Sequence, residues 1–416
     1  MTDAPKSLCV LAIGDPHFKI NNVEHSCEFV DKTLVFIDDN PQIDLIIVLG
    51  DVHDKHQYTH IAISSHVSKF FQELHNRKPV YLVVGNHDRQ NNSDFLSDIH
   101  PFNDMKLWPN MTVVDHVIET NIKGHKLVFV PYVPPGRFEE ALNTIQNPLE
   151  NTAVIFAHQE FYGAPMGAIK SVVGDKWPIH YPYVISGHIH DYWFNGKNII
   201  YVGTPMQHAF GDRQDKTLSL YQIDGEYDIC GVSVPPPETN EEMVNVNGKL
   251  IGNDFLSEYI VEYKRYKVLE TRIDLHMKKR EIIRVSVDRI HEFRPNPAKL
   301  QKLIIVGTKG QIQALQKWFG LENLKKTVAK VDYDYIEDTT DLQQALDNEI
   351  PTEDNVSYME SLYAQVESKP LHLKILHELF GSLDQPSGSL TQTSGSLTQT
   401  SGSLTQTSAV TIKINV

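Results

Sequence analysis

The chain has only three cysteines in 416 residues, Cys9, Cys27 and Cys230, and no Cys-x-x-Cys pair. That scarcity argues against a disulfide framework or a cysteine-built zinc site and fits a reducing compartment. No run of 18 apolar residues occurs, so no membrane-spanning helix is expected. The N-terminal residues also lack the basic-then-apolar order of a secretory signal. A soluble intracellular protein, cytoplasmic or nuclear, is the expectation. Positive charge is short as well: 38 Lys+Arg face 53 Asp+Glu, a formal net charge of −15. Taken as a mean, that balance argues against a nucleic-acid partner.

The mean hides an asymmetry. Residues 262–330 carry 17 Lys+Arg against 7 Asp+Glu, whereas residues 331–384 carry 13 acids against only Lys369 and Lys374. A basic module set between acidic ones is either a polyanion-facing surface or a solvated helix face with compensating neighbours. The length allows two or three domains.

The chain alternates short apolar runs with helical spacing. Strands are expected at residues 7–13, 44–49, 80–84, 127–130, 154–157, 183–186 and 199–202, and helices over 23–39 and 61–75. Pro-Pro-Pro at 235–237 reads as a linker, so a catalytic domain is assigned to 1–234. A basic domain follows at 255–340, with strands at 282–287 and 303–306 and a helix over 310–319. Residues 356–383 suggest two short helices, a docking segment or one that packs back on the basic module. From 384 to 416 the chain is a low-complexity tail with Ser-Gly-Ser-Leu-Thr-Gln-Thr three times in register, read as linker. The fold class is therefore α/β, with a small α+β second domain and a short C-terminal helical pair.

Five clusters carry the chemistry: Asp15-Pro16-His17, Gly50-Asp51, Gly85-Asn86-His87-Asp88, His158, and Gly187-His188-Ile189-His190. Each directly follows an expected strand, where sites form in α/β sheets. Carboxylate, imidazole and amide oxygen together suit divalent ions such as Mn²⁺, Fe²⁺ or Zn²⁺. Two such ions, roughly 3.5–4 Å apart, clamp a phosphoryl group in two-metal hydrolases. The glycines before Asp51, Asn86 and His188 fit sharp turns with close backbone approach.

In this order the clusters resemble the calcineurin-like metallophosphoesterase superfamily, over residues 8 to about 230. The resemblance implies that Asp15, His17 and His190 hold one ion, that Asn86, His158 and His188 hold the other, and that Asp51 bridges them. It makes His87 a general acid beside the scissile phosphate, with Asp88 orienting it from behind. The stretch from Ile200 to Gln207 and the run His158-Gln159-Glu160-Phe161-Tyr162-Gly163 are similar to SbcD-type double-strand-break repair nucleases, the phage recombination endonuclease subunits in particular. That likeness implies a Mn²⁺-dependent exonuclease and single-strand endonuclease, usually a homodimer, encoded by a phage or virus. The basic domain would cap the site and grip DNA, and the helical pair would dock on an SbcC-type SMC-like ATPase. Lys264, Arg265, Lys267, Lys278, Lys279 and Arg280 are the candidate DNA contacts. One departure stands out: many family members carry a histidine three residues after the bridging Asp, and this chain has Asp54, flanked by His53 and His56. The competing readings are a phosphatase or diesterase on a non-DNA substrate, and a DNA-tethering subunit with weak activity.

Overall fold

The computed structural model describes residues 6–56, 58–167, 169–234, 243–246, 249–252, 259–336 and 411–412. Three short strands set the pattern. β1 (Leu8–Ile13), β2 (Leu45–Val48) and β3 (Val80–Val83) lie parallel and adjacent, joined by α1 (Val23–Asp39) and α2 (Ile61–His75). Their side chains alternate between two apolar layers, as the strand period dictates. Leu11, Ile13, Ile46, Val48 and Leu82 meet Phe29, Val67, Phe70 and Phe71 of the two helices. Leu8, Val10, Leu45, Ile47 and Val83 face the other way, into a layer shared with Leu127, Phe129, Val154 and Phe156. Burial on both faces is why these strands read as unbroken apolar runs.

The second layer's partners come from another sheet. After β4 (Met111–Val114) closes the first sheet, the chain forms β5 (Ile118–Ile122), β6 (His125–Val130), α3 (Phe138–Leu142) and β7 (Thr152–His158). A small hairpin, β8 (Pro165–Met166) and β9 (Ile169–Lys170), precedes β10 (Tyr183–Gly187), β11 (Trp193–Phe194) and β12 (Ile199–Tyr201). The second sheet runs β11-β12-β10-β7-β6-β5, and its outer face packs on Phe138, Leu142 and Phe161. The result is an α/β sandwich, two sheets face to face with helices outside, as the alternation of strand and helix predicts.

A long ribbon completes the first sheet. β13 (Leu218–Val234) pairs antiparallel with β1, and β16 (Tyr259–Ile273) with β13; β14 (Met243–Val246) and β15 (Lys249–Gly252) pair with each other between them. The sequence reading places residues from 255 onward in the basic domain, yet β16 belongs to the first sheet. Its charged residues disguise it: Glu270 is buried and accepts hydrogen bonds from the hydroxyls of Tyr192 and Tyr221, each at 2.8 Å. β20 (Thr411–Ile412) lies on the far edge, opposite Glu270 and Thr271.

Beyond Ile273 a small domain holds three parallel strands, β17 (Lys279–Ser286), β18 (Lys299–Gly307) and β19 (Lys330–Tyr335). Between the last two run α4 (Lys309–Gln316), opened by a Thr308–Gln311 capping box, and α5 (Phe319–Lys325). The single helix expected over 310–319 is thus two, parted at Lys317 and Trp318. Ile290, Leu303, Ile305, Leu315 and Leu321 make its core. The expected linker at 235–237, helical pair at 356–383 and, apart from β20, tail at 384–416 lie outside the described residues. Among the described residues no helix is long and apolar enough to cross a membrane.

Candidate metal centre

The face-to-face sandwich brings the carboxyl ends of β1, β2, β3, β7 and β10 together, and the five clusters with them. To leave the strands this abruptly the backbone enters the left-handed region at three proposed ligands: φ is +42° at His17, +48° at Asp51 and +84° at His188. Side-chain-bearing residues adopt that region at a cost, and such strain gathers at functional sites. Two glycines make room. A Cβ on Gly85 would collide with the Asp51 carboxylate, and one on Gly187 with that of Asp15.

The seven proposed ligands form two groups. Asp15, His17 and His190 each offer an atom within 4.8 Å of the others, as do Asp51, His158 and His188. In the first group the Nε2 atoms of His17 and His190 lie 3.0 Å apart. In the second, Asn86 Oδ1 lies 3.0 Å from both His158 Nε2 and His188 Nδ1. Asp51 stands between the groups, Oδ2 at 3.7 Å from His17 Nε2 and Oδ1 at 3.4 Å from His158 Nε2. The Nδ1 of His158 donates to the Leu49 carbonyl at 2.7 Å, so the ring's other nitrogen is directed at Asn86 and Asp51.

The donor set fits divalent cations. Ring nitrogens and carboxylate and amide oxygens converge at distances that suit a shared positive charge better than one another. Asp15 Oδ1 and His17 Nδ1 are buried without a hydrogen-bond partner. Burial holds His17 down at about 4 and His188 at about 3, so both rings are neutral at pH 7 and offer lone pairs. Burial raises the Asp15 carboxyl well above the usual carboxylate range. Burial also opposes charge on His158, but the Asp51 and Asp15 carboxylates outweigh it and raise that ring to about 9. The cluster as built demands positive charge. Two cations held there would supply Lewis-acid charge to a phosphoryl group.

Around the cluster the structure redistributes some expected roles. The His87 backbone N–H donates to Asp51 Oδ1 at 2.8 Å, and its Nδ1 donates to the Asp54 carbonyl at 2.8 Å. Its ring meets His17 edge-on, centroids 5.0 Å apart. Asp88 makes no hydrogen bond to that ring. Its carboxylate accepts from the backbone N–H groups of Val52, His53 and Gly85, so it braces the turns that carry Asp51 and Asn86 instead of orienting His87 directly. The Asp54 carboxylate pairs with Lys19 at 3.0 Å. Of the two flanking histidines, His56 stacks on His87 at 4.6 Å, whereas His53 stacks on Phe102 at 5.4 Å.

His208, not singled out in the sequence, joins the site: its ring lies 5.2 Å from that of His17, and its Nε2 donates to the Asp15 carbonyl at 3.1 Å. Its signal was adjacency, one residue past the Ile200–Gln207 stretch.

The proposed DNA contacts divide. Arg265 is buried, donates to the carbonyls of Lys197 and Ile179, and lies over the Tyr183 ring. Arg280 is buried too, its backbone N–H bonded to Gln207 Oε1 at 2.7 Å and its Nη1 to the His208 carbonyl at 3.4 Å. In both, the guanidinium is engaged with carbonyls of neighbouring elements. Lys279 pairs with Asp274 and donates to the Gln214 carbonyl. Lys267 and Lys278 are exposed. Lys264 lies in β16, opposite Ile229, and its side chain is outside what the structure describes.

The family model for calcineurin-like phosphoesterases matches residues 9–192, the span holding all five clusters. Protein 078R of Invertebrate iridescent virus 3, assigned as a phosphoesterase by name, is 41% identical over 263 residues, covering 62% of this chain and 75% of that protein. Protein 244L of Invertebrate iridescent virus 6, named likewise, is 44% identical over 225 residues, covering 53% and 79%. Among solved structures, TT1561 of Thermus thermophilus is 13% identical, with a TM-score of 0.34 over 53% of this chain and 95% of that one, a likeness too slight to bear on the fold. With its motifs assembled into one cluster and viral relatives similar over most of their length, the chain belongs to the calcineurin-like phosphoesterase family.

Proposed function

We propose that the chain is a two-metal phosphodiesterase acting on DNA, an exonuclease and single-strand endonuclease of recombination or double-strand-break repair. The observation that carries the phosphodiesterase chemistry is the pair of ligand groups meeting at Asp51. DNA as substrate rests on the basic small domain, which is joined to the loop that carries His208. Much of that domain's charge is neutralised internally, by Arg284 with Asp334, Lys299 with Glu281, and Lys302 and Lys330 with Asp332. That internal pairing favours the second reading, a diesterase on another phosphoester. Lys278, Lys309, Lys317 and Lys326 remain exposed and are the groups best suited to grip a phosphate backbone. In this reading His87 protonates the leaving oxygen from Nε2, the ring held by Asp54 and His56. Mn²⁺ is the proposed metal, a homodimer the assembly and an SbcC-type SMC-like ATPase the partner; the two iridescent-virus relatives support a viral origin.

The test is cleavage of labelled duplex and single-stranded DNA with Mn²⁺, against an EDTA control. Both substrates should be cut, and EDTA should abolish the activity. Hydrolysis of a nitrophenyl phosphodiester with DNA left intact would remove DNA as the substrate. His87→Ala should still bind Mn²⁺ and lose about 10²–10⁴-fold in kcat; an unchanged rate would remove His87 as the acid.

A further inference from the structure

A second concavity lies beside the metal cluster. It has a volume of about 390 Å³, and its lining includes His53, Lys55, His87, Asp88, Arg89 and His100. None of the seven proposed metal ligands lines it, but His87 does, with the edge of its ring on His17 at 5.0 Å. His87 thus borders both the cluster and this space.

Its charge is unusual. Arg89 is the largest fully buried side chain among the described residues, 1% exposed. Nη1 donates to the Asp94 carbonyl at 3.1 Å, while Nε and Nη2 have no partner. A buried guanidinium with two unmade donors is costly, because each such group has given up water without replacement. Three carboxylates act on its charge, those of Asp94, Asp115 and Asp88. Two of them are already engaged. Asp88 is taken by three backbone N–H groups, and Asp115 accepts from His100, Lys106 and His116. Asp94 Oδ2 makes no hydrogen bond either. At the mouth, Lys55 is exposed and forms no ion pair among the described residues. The lining thus holds one ammonium and a guanidinium with two buried donors that the fold does not use, beside an Asp88 carboxylate already taken by backbone N–H groups.

We infer that this cavity is a subsite for a second phosphate of the substrate, the one next to the scissile phosphate on the leaving-group side. The inference rests on His87 being the proton donor proposed above. Arg89 supplies planar, directional N–H donors and Lys55 a mobile point charge, a pairing that suits a phosphate held at a cavity mouth. An isolated phosphomonoester or aryl diester has nothing to place there; a polynucleotide always does.

Isothermal titration of the full chain with Mn²⁺ tests it, using thymidine 3′,5′-bisphosphate against the 3′- and 5′-monophosphates. The bisphosphate should bind about tenfold or more tightly than the better monophosphate, the worth of one charge-assisted contact. That ratio should fall by about threefold or more in Lys55→Gln. It should also fall in Arg89→Lys, whose folding is checked by circular dichroism; should that variant not fold, Lys55→Gln decides alone. Equal affinities in the wild type, or a ratio unchanged in Lys55→Gln, would overturn the subsite. A protein that keeps the ratio and loses it on Lys55→Gln, yet leaves DNA uncut, supports the subsite and overturns only the DNA reading.

Discussion

Asp88 follows the histidine of its motif directly, and its carboxylate serves three backbone N–H groups in two turns. Removing a buried acceptor leaves its donors dry, each at a cost of order 1–3 kcal/mol, though not additively. Asp88→Ala should therefore destabilise the metal-free protein by about 3 kcal/mol in urea unfolding; a loss of activity at unchanged stability would show that the brace is not its role. The contrast with the proposed ligands explains what was legible at this scale. Asp15, His17, Asp51, Asn86, His158, His188 and His190 were named from the order of five clusters, each straight after a buried strand, and from the resemblance that order carries; the structure brings them together. The work of Asp88 could not be read this way, since backbone N–H groups carry no mark in the sequence. The burial of Arg265 and Arg280 was hidden for the same reason: a guanidinium bonded to carbonyls looks, in one dimension, like any surface charge.

Among the elements, the strands and helices of the first half fall where apolar spacing puts them; the helices expected over 23–39 and 61–75 are α1 and α2. β16 was hidden because its identity comes from pairing with β13, a contact made across the excursion that separates them. Within it Arg265 pins the loops around Lys197 and Ile179. Arg265→Ala should lower the melting temperature by several degrees, through buried carbonyls left unpaired. It should leave the slope of log affinity against log salt for DNA unchanged, since no phosphate contact is lost. A slope reduced by about one at full stability would return Arg265 to the DNA surface.

At the scale of the molecule, the sandwich and the small domain meet along α1, the 205–214 loop and the start of β17. His25 lies buried at this seam, and burial, with the Arg280 charge adding to it, lowers its ring to about 4. The unfolded imidazole titrates near 6.5. Between those values the unfolded chain binds the extra proton, so stability falls as pH drops from about 6.5 to about 4. Unfolding midpoints in EDTA should follow that slope, and His25→Asn should flatten it; parallel curves for the two proteins would refute the assignment. The seam was not legible beforehand, because it joins residues far apart in the chain whose hydrogen bonds are mostly to backbone. It also has a mechanical meaning. Arg280 holds Gln207 and His208, His208 holds the Asp15 carbonyl, and the Asp15 carboxylate holds the N–H of His188 at 2.8 Å. Four short links therefore run from the first residues of the basic domain to both ligand groups. A displacement of that domain is therefore passed to the turns that carry Asp15 and His188 through bonded contacts, without any signal having to cross open solvent.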